Sequence, residues 1–197
     1  YYNIFEPAER KAAFEQLINL IEEQEYHLDV GVLGGRVLFH VLTDFGYSDL
    51  AFSMITRPDY PSYGNWIARG ATTLWEMFQP EDSDRIGSQN HHFWGDISSW
   101  FTQALAGIRM APHGDPCAVD FRPSFISRLT HAEAFHIAPA GRIASAWERD
   151  EDDVITLTVE LPEAMHGVIR LESGYVFEDG LAFKPAESGT YRIHSIE

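Results

Sequence analysis

The first half of the chain carries apolar residues at spacings of three and four, the pattern of amphipathic helices. Four such segments occur before Pro112, within residues 14–21, 37–45, 50–55 and 97–108. Pro7 suits a first helical turn, and Gly46 suits the left-handed residue that follows a helix. Ser48 is predicted to cap the third helix. Ser62 is predicted to start a short fourth helix that closes at Gly70, which makes five helices in all.

After Pro112 the period changes to two, which predicts half-buried strands. The clearest alternation runs from residue 155 to residue 161. Strands at this spacing, without intervening helices, indicate an antiparallel β-sandwich. We therefore predict two domains, a helical one over residues 1–112 and a β-sandwich over residues 113–197. Further strands are predicted at 143–147, 169–171 and 191–193, with turns at 139–141, 150–153, 173–174 and 179–180.

The charge of the chain excludes two classes of partner. There are 14 Lys and Arg residues against 30 Asp and Glu residues, which gives a formal net charge of −16. Such a field repels nucleic acid and anionic membrane surfaces, and no segment has the roughly 20 apolar residues that cross a bilayer. Because the chain opens on YYNIFEPAERK without methionine, we expect it to continue a longer protein. Its compartment, cytoplasmic or secreted, therefore stays open.

Aromatic side chains are concentrated between residues 60 and 101, which include four of the five tryptophans. Trp100 and Phe101 belong to a predicted buried helix face and are assigned to the core. The others lie beside glycines or polar residues, where a flat ring either stacks on a sugar or packs against other protein groups. Both interpretations stay open for these five residues, which are Tyr60, Tyr63, Trp66, Trp75 and Trp94.

Glu76 is the candidate acid–base residue. It follows Trp75 and precedes Met77 and Phe78, so its surroundings are expected to limit hydration of the carboxylate. The ordinary alternative is a salt bridge or a helix cap. The chemical alternative is a general base for glycoside hydrolysis, a reaction that needs a second carboxyl group across the scissile bond.

Asn90, His91 and His92 form a second candidate cluster. Adjacent histidines suggest a metal, but helical metal ligands are usually three or four residues apart, and no third ligand stands out. An imidazole and an amide also offer donors and acceptors in fixed directions, which suits the hydroxyls of a sugar. We therefore expect sugar binding here rather than metal binding.

Two segments carry a resemblance to a known family. Residues 59–76 are DYPSYGNWIARGATTLWE, and residues 88–95 are SQNHHFWG. Together with the helical and β regions around them, they resemble the C-terminal part of bacterial α-L-rhamnosidases of glycoside hydrolase family 78. The resemblance implies part of an (α/α)6 barrel, about five of its twelve helices, followed by a β-sandwich.

The resemblance also implies an activity, which is hydrolysis of terminal α-L-rhamnosides with inversion and without a metal cofactor. Glu76 matches the general base of the family. His91, preceded by Asn90, matches a histidine that contacts rhamnose, and Tyr63 and Trp66 match an aromatic stretch near the pocket. The general acid of the family lies upstream of this chain. The upstream half of the barrel is thus an expected partner, and the chain alone is expected to be inactive.

Two alternatives to this hypothesis stay open. One is a non-catalytic sugar-binding or structural module, since a β-sandwich on a partial helical scaffold can serve recognition alone. The other is a barrel glycosidase that acts on a different sugar. The pattern of residues indicates neither the linkage, nor the aglycone, nor the oligomeric state.

Overall fold

The computed structural model describes residues 2, 4–80, 82–84 and 87–196, with the backbone alone at His113. The chain divides into two compact units, which we call the helical unit (residues 1–97) and the β unit (residues 98–197). None of the described helices has the length and apolar character that a membrane crossing requires.

The described residues form five α-helices, as the sequence predicts, followed by one π-helical segment. α2 starts before the predicted stripe and includes both Gly34 and Gly35. Ser48 is the first residue of α3, and the cap position is taken by Tyr47, which makes no side-chain cap. The helices are α1 (Arg10–Glu23), α2 (Val32–Asp44), α3 (Ser48–Thr56), α4 (Tyr63–Ala68) and α5 (Asp96–Trp100), and the π-helical segment is Phe101–Leu105.

Short helices in the helical unit are fixed by packing and by one strong cap. Phe14 of α1 stacks on Phe45 with the ring centroids 4.0 Å apart. The side chain of Ser62 caps α4 by accepting a hydrogen bond from the backbone N–H of Asn65 at 2.8 Å. The predicted start of the fourth helix at Ser62 is therefore confirmed, and the cap defines where α4 begins. The buried apolar residues of α2 and α3 are Leu38, Phe39, Leu42, Ala51, Met54 and Ile55.

Nine strands in the described residues form two sheets. One sheet has the order β1-β2-β6-β8, and the other has the order β3-β4-β5-β9-β7. All pairs are antiparallel except that of β2 with β6, which is parallel. The strands are β1 (Ile108–Met110), β2 (Ala118–Phe121), β3 (His131–Ala138), β4 (Gly141–Arg149), β5 (Ile155–Glu160), β6 (His166–Arg170), β7 (Tyr175–Phe177), β8 (Phe183–Pro185) and β9 (Gly189–Ser195).

The alternating strands place their apolar faces in one core. Trp147 of β4 lies opposite Leu157 of β5, and both are fully buried. Residues from both sheets contribute to the same cluster, so the predicted β-sandwich is confirmed. The acidic run at 150–153 is a turn, in which the Asp150 carboxylate accepts the backbone N–H of Val154 at 2.9 Å.

The last helix ends earlier than its apolar stripe predicts. Ile108 belongs to β1 and lies opposite Phe121 of β2, so the prediction that it continues the helix is wrong. The chain leaves the π-helical segment through Gly107, whose φ of +80° is a left-handed conformation that glycine adopts without strain. A reversal at that point redirects the backbone into the sheet. The domain limit near Pro112 stays a prediction.

Candidate functional site

Glu76 and His91 lie on two neighbouring segments that run in opposite directions. The backbone N–H of Glu76 donates to the carbonyl of Ser88 at 2.8 Å, and that of His91 donates to the carbonyl of Leu74 at 2.8 Å. The Thr73 hydroxyl donates a further hydrogen bond between the same two segments, to the carbonyl of Gln89. The structure thus brings together two of the residues that the sequence selected. Glu81, Arg85 and Ile86 of the connecting loop lie outside the described residues.

Glu76 is half-buried and held at three atoms. Besides its backbone N–H, its Oε2 accepts the backbone N–H of Ser88 at 2.9 Å, and its carbonyl accepts the indole N–H of Trp94 at 2.9 Å. Among the described residues, no Arg or Lys pairs with the carboxylate. The salt-bridge alternative therefore has no support in the described part of the chain. What the geometry provides is an oriented carboxylate on an ordered loop.

Four aromatic rings, which we call the aromatic cluster, pack beside this loop. Phe78 stacks on Trp66 at 4.3 Å and meets Trp94 at 4.7 Å between ring centroids. Tyr63 lies edge-on to Trp66 at 5.4 Å. Trp66 is only 2% exposed, so its ring faces are already covered by protein. The members of the cluster are Tyr63, Trp66, Phe78 and Trp94.

Tyr63 ties the cluster to the chain after His91. Its hydroxyl donates to the carbonyl of Trp94 at 3.2 Å. Burial raises the pKa of Tyr63, and the nearby Asp96 carboxylate raises it further. The phenol therefore stays protonated and remains a hydrogen-bond donor. Trp75 is half-buried, and its ring centroid lies 6.1 Å from that of Trp66.

His91 is half-buried, and its hydrogen bonding fixes one tautomer. Nδ1 accepts the backbone N–H of Phe93 at 3.3 Å. A neutral imidazole in this arrangement carries its proton on Nε2, which is then a donor to an approaching hydroxyl. Asn90 is exposed, and its backbone carbonyl accepts the hydroxyl of Ser88 at 3.2 Å. No group of three potential metal ligands occurs within the described ranges.

α2 contacts the segment that follows His91 at two points. A Cβ added to Gly35 would collide with the six-membered ring of Trp94. The glycine is therefore required for this close approach. One turn later, Nε2 of His40 lies 3.0 Å from a carboxylate oxygen of Asp96, the first residue of α5. Both contacts fix the segment that follows His91.

An open groove of about 590 Å³ lies over β3, β4 and β5 of the β unit. Its lining includes Phe135, Arg142, Ala144, Ala146 and Glu160. None of the predicted site residues lines this groove, because all of them belong to the helical unit.

Residues 1–105 match the bacterial α-L-rhamnosidase six-hairpin glycosidase domain, and residues 118–174 match the bacterial α-L-rhamnosidase C-terminal domain. The chain belongs to the bacterial α-L-rhamnosidase family. The family resemblance and the order of the two regions predicted from the sequence are thereby confirmed.

Individual α-L-rhamnosidases agree with this assignment. One from Streptomyces avermitilis is 32% identical over 166 residues, which cover 81% of this chain and 16% of that protein. The solved structure of a Streptomyces avermitilis α-L-rhamnosidase complexed with L-rhamnose matches 97% of this chain and 20% of its own, with 28% identity and a TM-score of 0.81. The α-L-rhamnosidase from Dictyoglumus thermophilum matches all of this chain and 24% of its own, with 25% identity and a TM-score of 0.84.

This chain thus spans only about a sixth to a quarter of the length of these relatives. Within it, sequence reasoning missed the residues that hold Glu76 in place. Ser88 acts through its backbone N–H, which no side-chain pattern reveals. Trp94 stood among the candidate stacking rings, whereas the structure uses its indole N–H as a support for the loop. The TrpGlu pair at 75–76 gave no signal for either contact.

Proposed function

We propose that this chain supplies the general base and one wall of the sugar pocket in an inverting α-L-rhamnosidase. The observation that carries the proposal is the half-buried carboxylate of Glu76, oriented by Ser88 and adjacent in space to the segment of His91. Membership of the family favours a rhamnoside substrate, and the relative from Streptomyces avermitilis was solved with L-rhamnose. Hydrolysis itself belongs to a longer protein, which contributes the rest of the pocket.

The reaction needs two carboxyl groups. Glu76 removes a proton from water while the water oxygen bonds to the anomeric carbon, on the face opposite the aglycone. The bond from that carbon to the aglycone oxygen breaks, and a general acid outside this chain gives its proton to the leaving oxygen. Water adds from the opposite face, so the configuration inverts. The oxocarbenium-like transition state is stabilised by the negative charge that Glu76 carries before proton transfer.

Three side chains are proposed to hold the sugar. His91 offers its Nε2–H to a ring hydroxyl, and Asn90 offers an amide with both a donor and an acceptor. Trp75 is half-buried and offers ring surface to the apolar C–H face of the sugar. Tyr63 and Trp66 remain proposed pocket residues. Their burial favours a role in supporting the pocket wall over direct stacking.

Replacing Glu76 in the full-length enzyme tests the proposal. Glu76→Gln is expected to lower kcat for an aryl α-L-rhamnoside by about 10²–10⁴-fold, the usual contribution of a general base. The exposed Glu148 of β4 provides the matched control, because Glu148→Gln should leave kcat unchanged. Near-normal turnover by Glu76→Gln would remove the role of general base.

A chemical rescue makes the test more specific. In Glu76→Ala, azide can enter where the base and water meet and needs no proton removal. It bonds to the anomeric carbon while the bond to the aglycone breaks, and the product is the rhamnosyl azide of inverted configuration. NMR of that product identifies the face of attack. A product of retained configuration would contradict an inverting mechanism.

Experiments on the isolated 197 residues and on the full-length enzyme test the two alternatives, a non-catalytic module and a glycosidase for a different sugar. Binding of rhamnose by calorimetry, together with no release of the aglycone from an aryl α-L-rhamnoside, agrees with a chain that lacks its acid. Hydrolysis by the isolated chain would contradict the location of the acid upstream. A panel of deoxyhexosides and uronides on the full-length enzyme tests the sugar, since faster turnover of another sugar would replace rhamnose as the substrate.

A further inference from the structure

Arg69 follows α4 directly and contacts the loop of Glu76 on both sides of that residue. Its guanidinium carbon lies 5.3 Å from the ring centroid of Trp75, the residue before Glu76. Its Nη1 donates a hydrogen bond of 2.5 Å to the carbonyl of Gln79, three residues after Glu76. A single side chain thus spans the stretch of loop that carries the candidate base.

The backbone of Arg69, from which this side chain extends, is itself held in place. The backbone N–H of Arg69 donates to the carbonyl of Asn65 at 3.0 Å. Asn65 is 4% exposed, and its side-chain amide donates to the carbonyl of Pro58 at 3.0 Å. Together with the cap at Ser62, these bonds anchor α4 at both ends. Arg69 therefore transfers the position of a rigid helix to a loop.

The loop needs such support because it lacks regular structure. Residues 71–80 form neither helix nor strand, so repeated backbone pairing does not hold them. Arginine suits the role better than lysine, since a planar guanidinium can stack on an indole and donate a directed hydrogen bond at the same time. The half-buried position of Arg69 lessens the competition of water for both contacts.

We propose that Arg69 is a positioning residue for Glu76, which holds the loop between Trp75 and Gln79 in the geometry that general-base catalysis needs. This inference rests on the proposed function of Glu76. It adds a residue that acts without touching the sugar. It also assigns the face of Trp75 that meets Arg69 to the protein, which leaves sugar stacking to the other face.

The first experiment uses the full-length enzyme and an aryl α-L-rhamnoside. Arg69→Ala is expected to lower kcat and kcat/KM by the same factor, about 10–100-fold, because a displaced catalytic group costs that much. Arg69→Lys should recover part of the loss, since it keeps a donor but not the planar stack. An unchanged kcat in Arg69→Ala, or a loss confined to KM, would overturn the proposal.

Arg170→Ala is the matched control. Arg170 lies 5.1 Å from the ring centroid of Phe183 in the β unit, so the variant removes a contact of the same kind elsewhere. It should leave kcat unchanged. Thermal unfolding of each variant separates folding from catalysis. If Arg69→Ala unfolds, the comparison is made with Arg69→Lys, whose failure to lower kcat then overturns the proposal.

A double mutant separates this proposal from the one on which it rests. If Arg69 acts through Glu76, Arg69→Ala should cost little in a Glu76→Ala background, because the group it positions is already gone. An equal loss in both backgrounds shows independent action and overturns the positioning role alone. Near-normal turnover in the Glu76→Ala single variant removes the general base, and the role of Arg69 falls with it.

Discussion

Two fully buried serines show how differently the helical unit and the β unit are built. Ser62 donates from its hydroxyl to the carbonyl of Arg57 at 2.5 Å and also accepts the backbone N–H of Asn65. Ser145 of β4 is equally buried, and its hydroxyl has no partner among the described residues. Backbone pairing already holds β4 to both of its neighbouring strands, so the Ser145 hydroxyl is not needed to hold it. The short helices and loops depend on side chains for their hydrogen bonds.

Two buried tryptophans extend the comparison. The indole N–H of Trp94 donates to the carbonyl of Glu76, and that of Trp147 donates to the carbonyl of Leu105 at 2.7 Å. Burial and hydrogen bonding are similar, but one ring supports the candidate base and the other joins β4 to the π-helical segment. The identity of the partner segment, and not the degree of burial, therefore distinguishes a functional support from a structural one.

The largest effects are expected from replacing each tryptophan with phenylalanine in the full-length enzyme. Trp147→Phe leaves a buried carbonyl without its donor and should destabilise the β unit by about 1–3 kcal/mol, with kcat unchanged. Trp94→Phe should lower kcat about tenfold through the loop of Glu76, the equivalent of about 1.4 kcal/mol. Hydrogen exchange of β4 and β5 measures the loss of stability, and steady-state kinetics measures the change in kcat. If both variants changed the same one of these quantities, the two tryptophans would not differ in role.

The serine pair should give smaller changes of opposite sign. Ser62→Ala removes the cap of α4 and should cost about 1 kcal/mol of stability. Ser145→Ala removes a buried hydroxyl that lacks a partner, so stability should stay equal or rise by up to about 1 kcal/mol. Hydrogen exchange of α4 and β4 measures the two effects locally. A destabilising Ser145→Ala would indicate a hydrogen-bonded hydroxyl.

The smallest change is expected at an exposed ion pair of the helical unit. Arg57 donates two hydrogen bonds to Asp59, at 2.9 and 2.7 Å, and His27 lies 2.9 Å from the same carboxylate. Arg57 first and His27 second lower the pKa of Asp59. This stabilisation is therefore complete above the ordinary carboxyl range, near pH 4, and is lost as the pH falls below it.

Asp59→Asn tests that assignment. Because Asp59 is about half exposed, the cost should be about 0.2–1 kcal/mol at neutral pH. The difference from the parent protein should shrink below pH 4. Thermal unfolding at pH 7 and at pH 3 measures both values. A difference that is independent of pH would show that the charge of Asp59 contributes nothing.

The sequence predicted most of the fold because its signals were local. Alternation identified β4 and β5, apolar spacing identified four of the helices, and Ser62 with Gly70 identified the short fourth helix. β3 was missed because its core-facing residues include the small Ala132, Ala134 and Ala138, whereas the large apolar Phe135 and Ile137 lie on the exposed face. β1 was missed because Ile108 continues the spacing of a helix, and only Gly107 reverses the chain.

The candidate site was predicted less completely, for a physical reason. The residue types of Glu76 and His91 carry chemistry that a sequence displays, and a motif located both. The supports from Ser88, Trp94 and Arg69 are contacts that exist only after the loop has folded. Whether a ring at 66 or 75 is covered likewise depends on its neighbours in space. Those contacts can be identified only from the folded structure.

The missing side chain at Gly35 gives α2 a remote influence on the candidate chemistry. A methyl group at this position would collide with the indole ring of Trp94. A shift of that ring would displace Glu76, because the carbonyl of Glu76 accepts the indole N–H. A screen for altered turnover that inspects only the pocket would overlook this position. The absence of a side chain at Gly35 is therefore one requirement for the position of the candidate base.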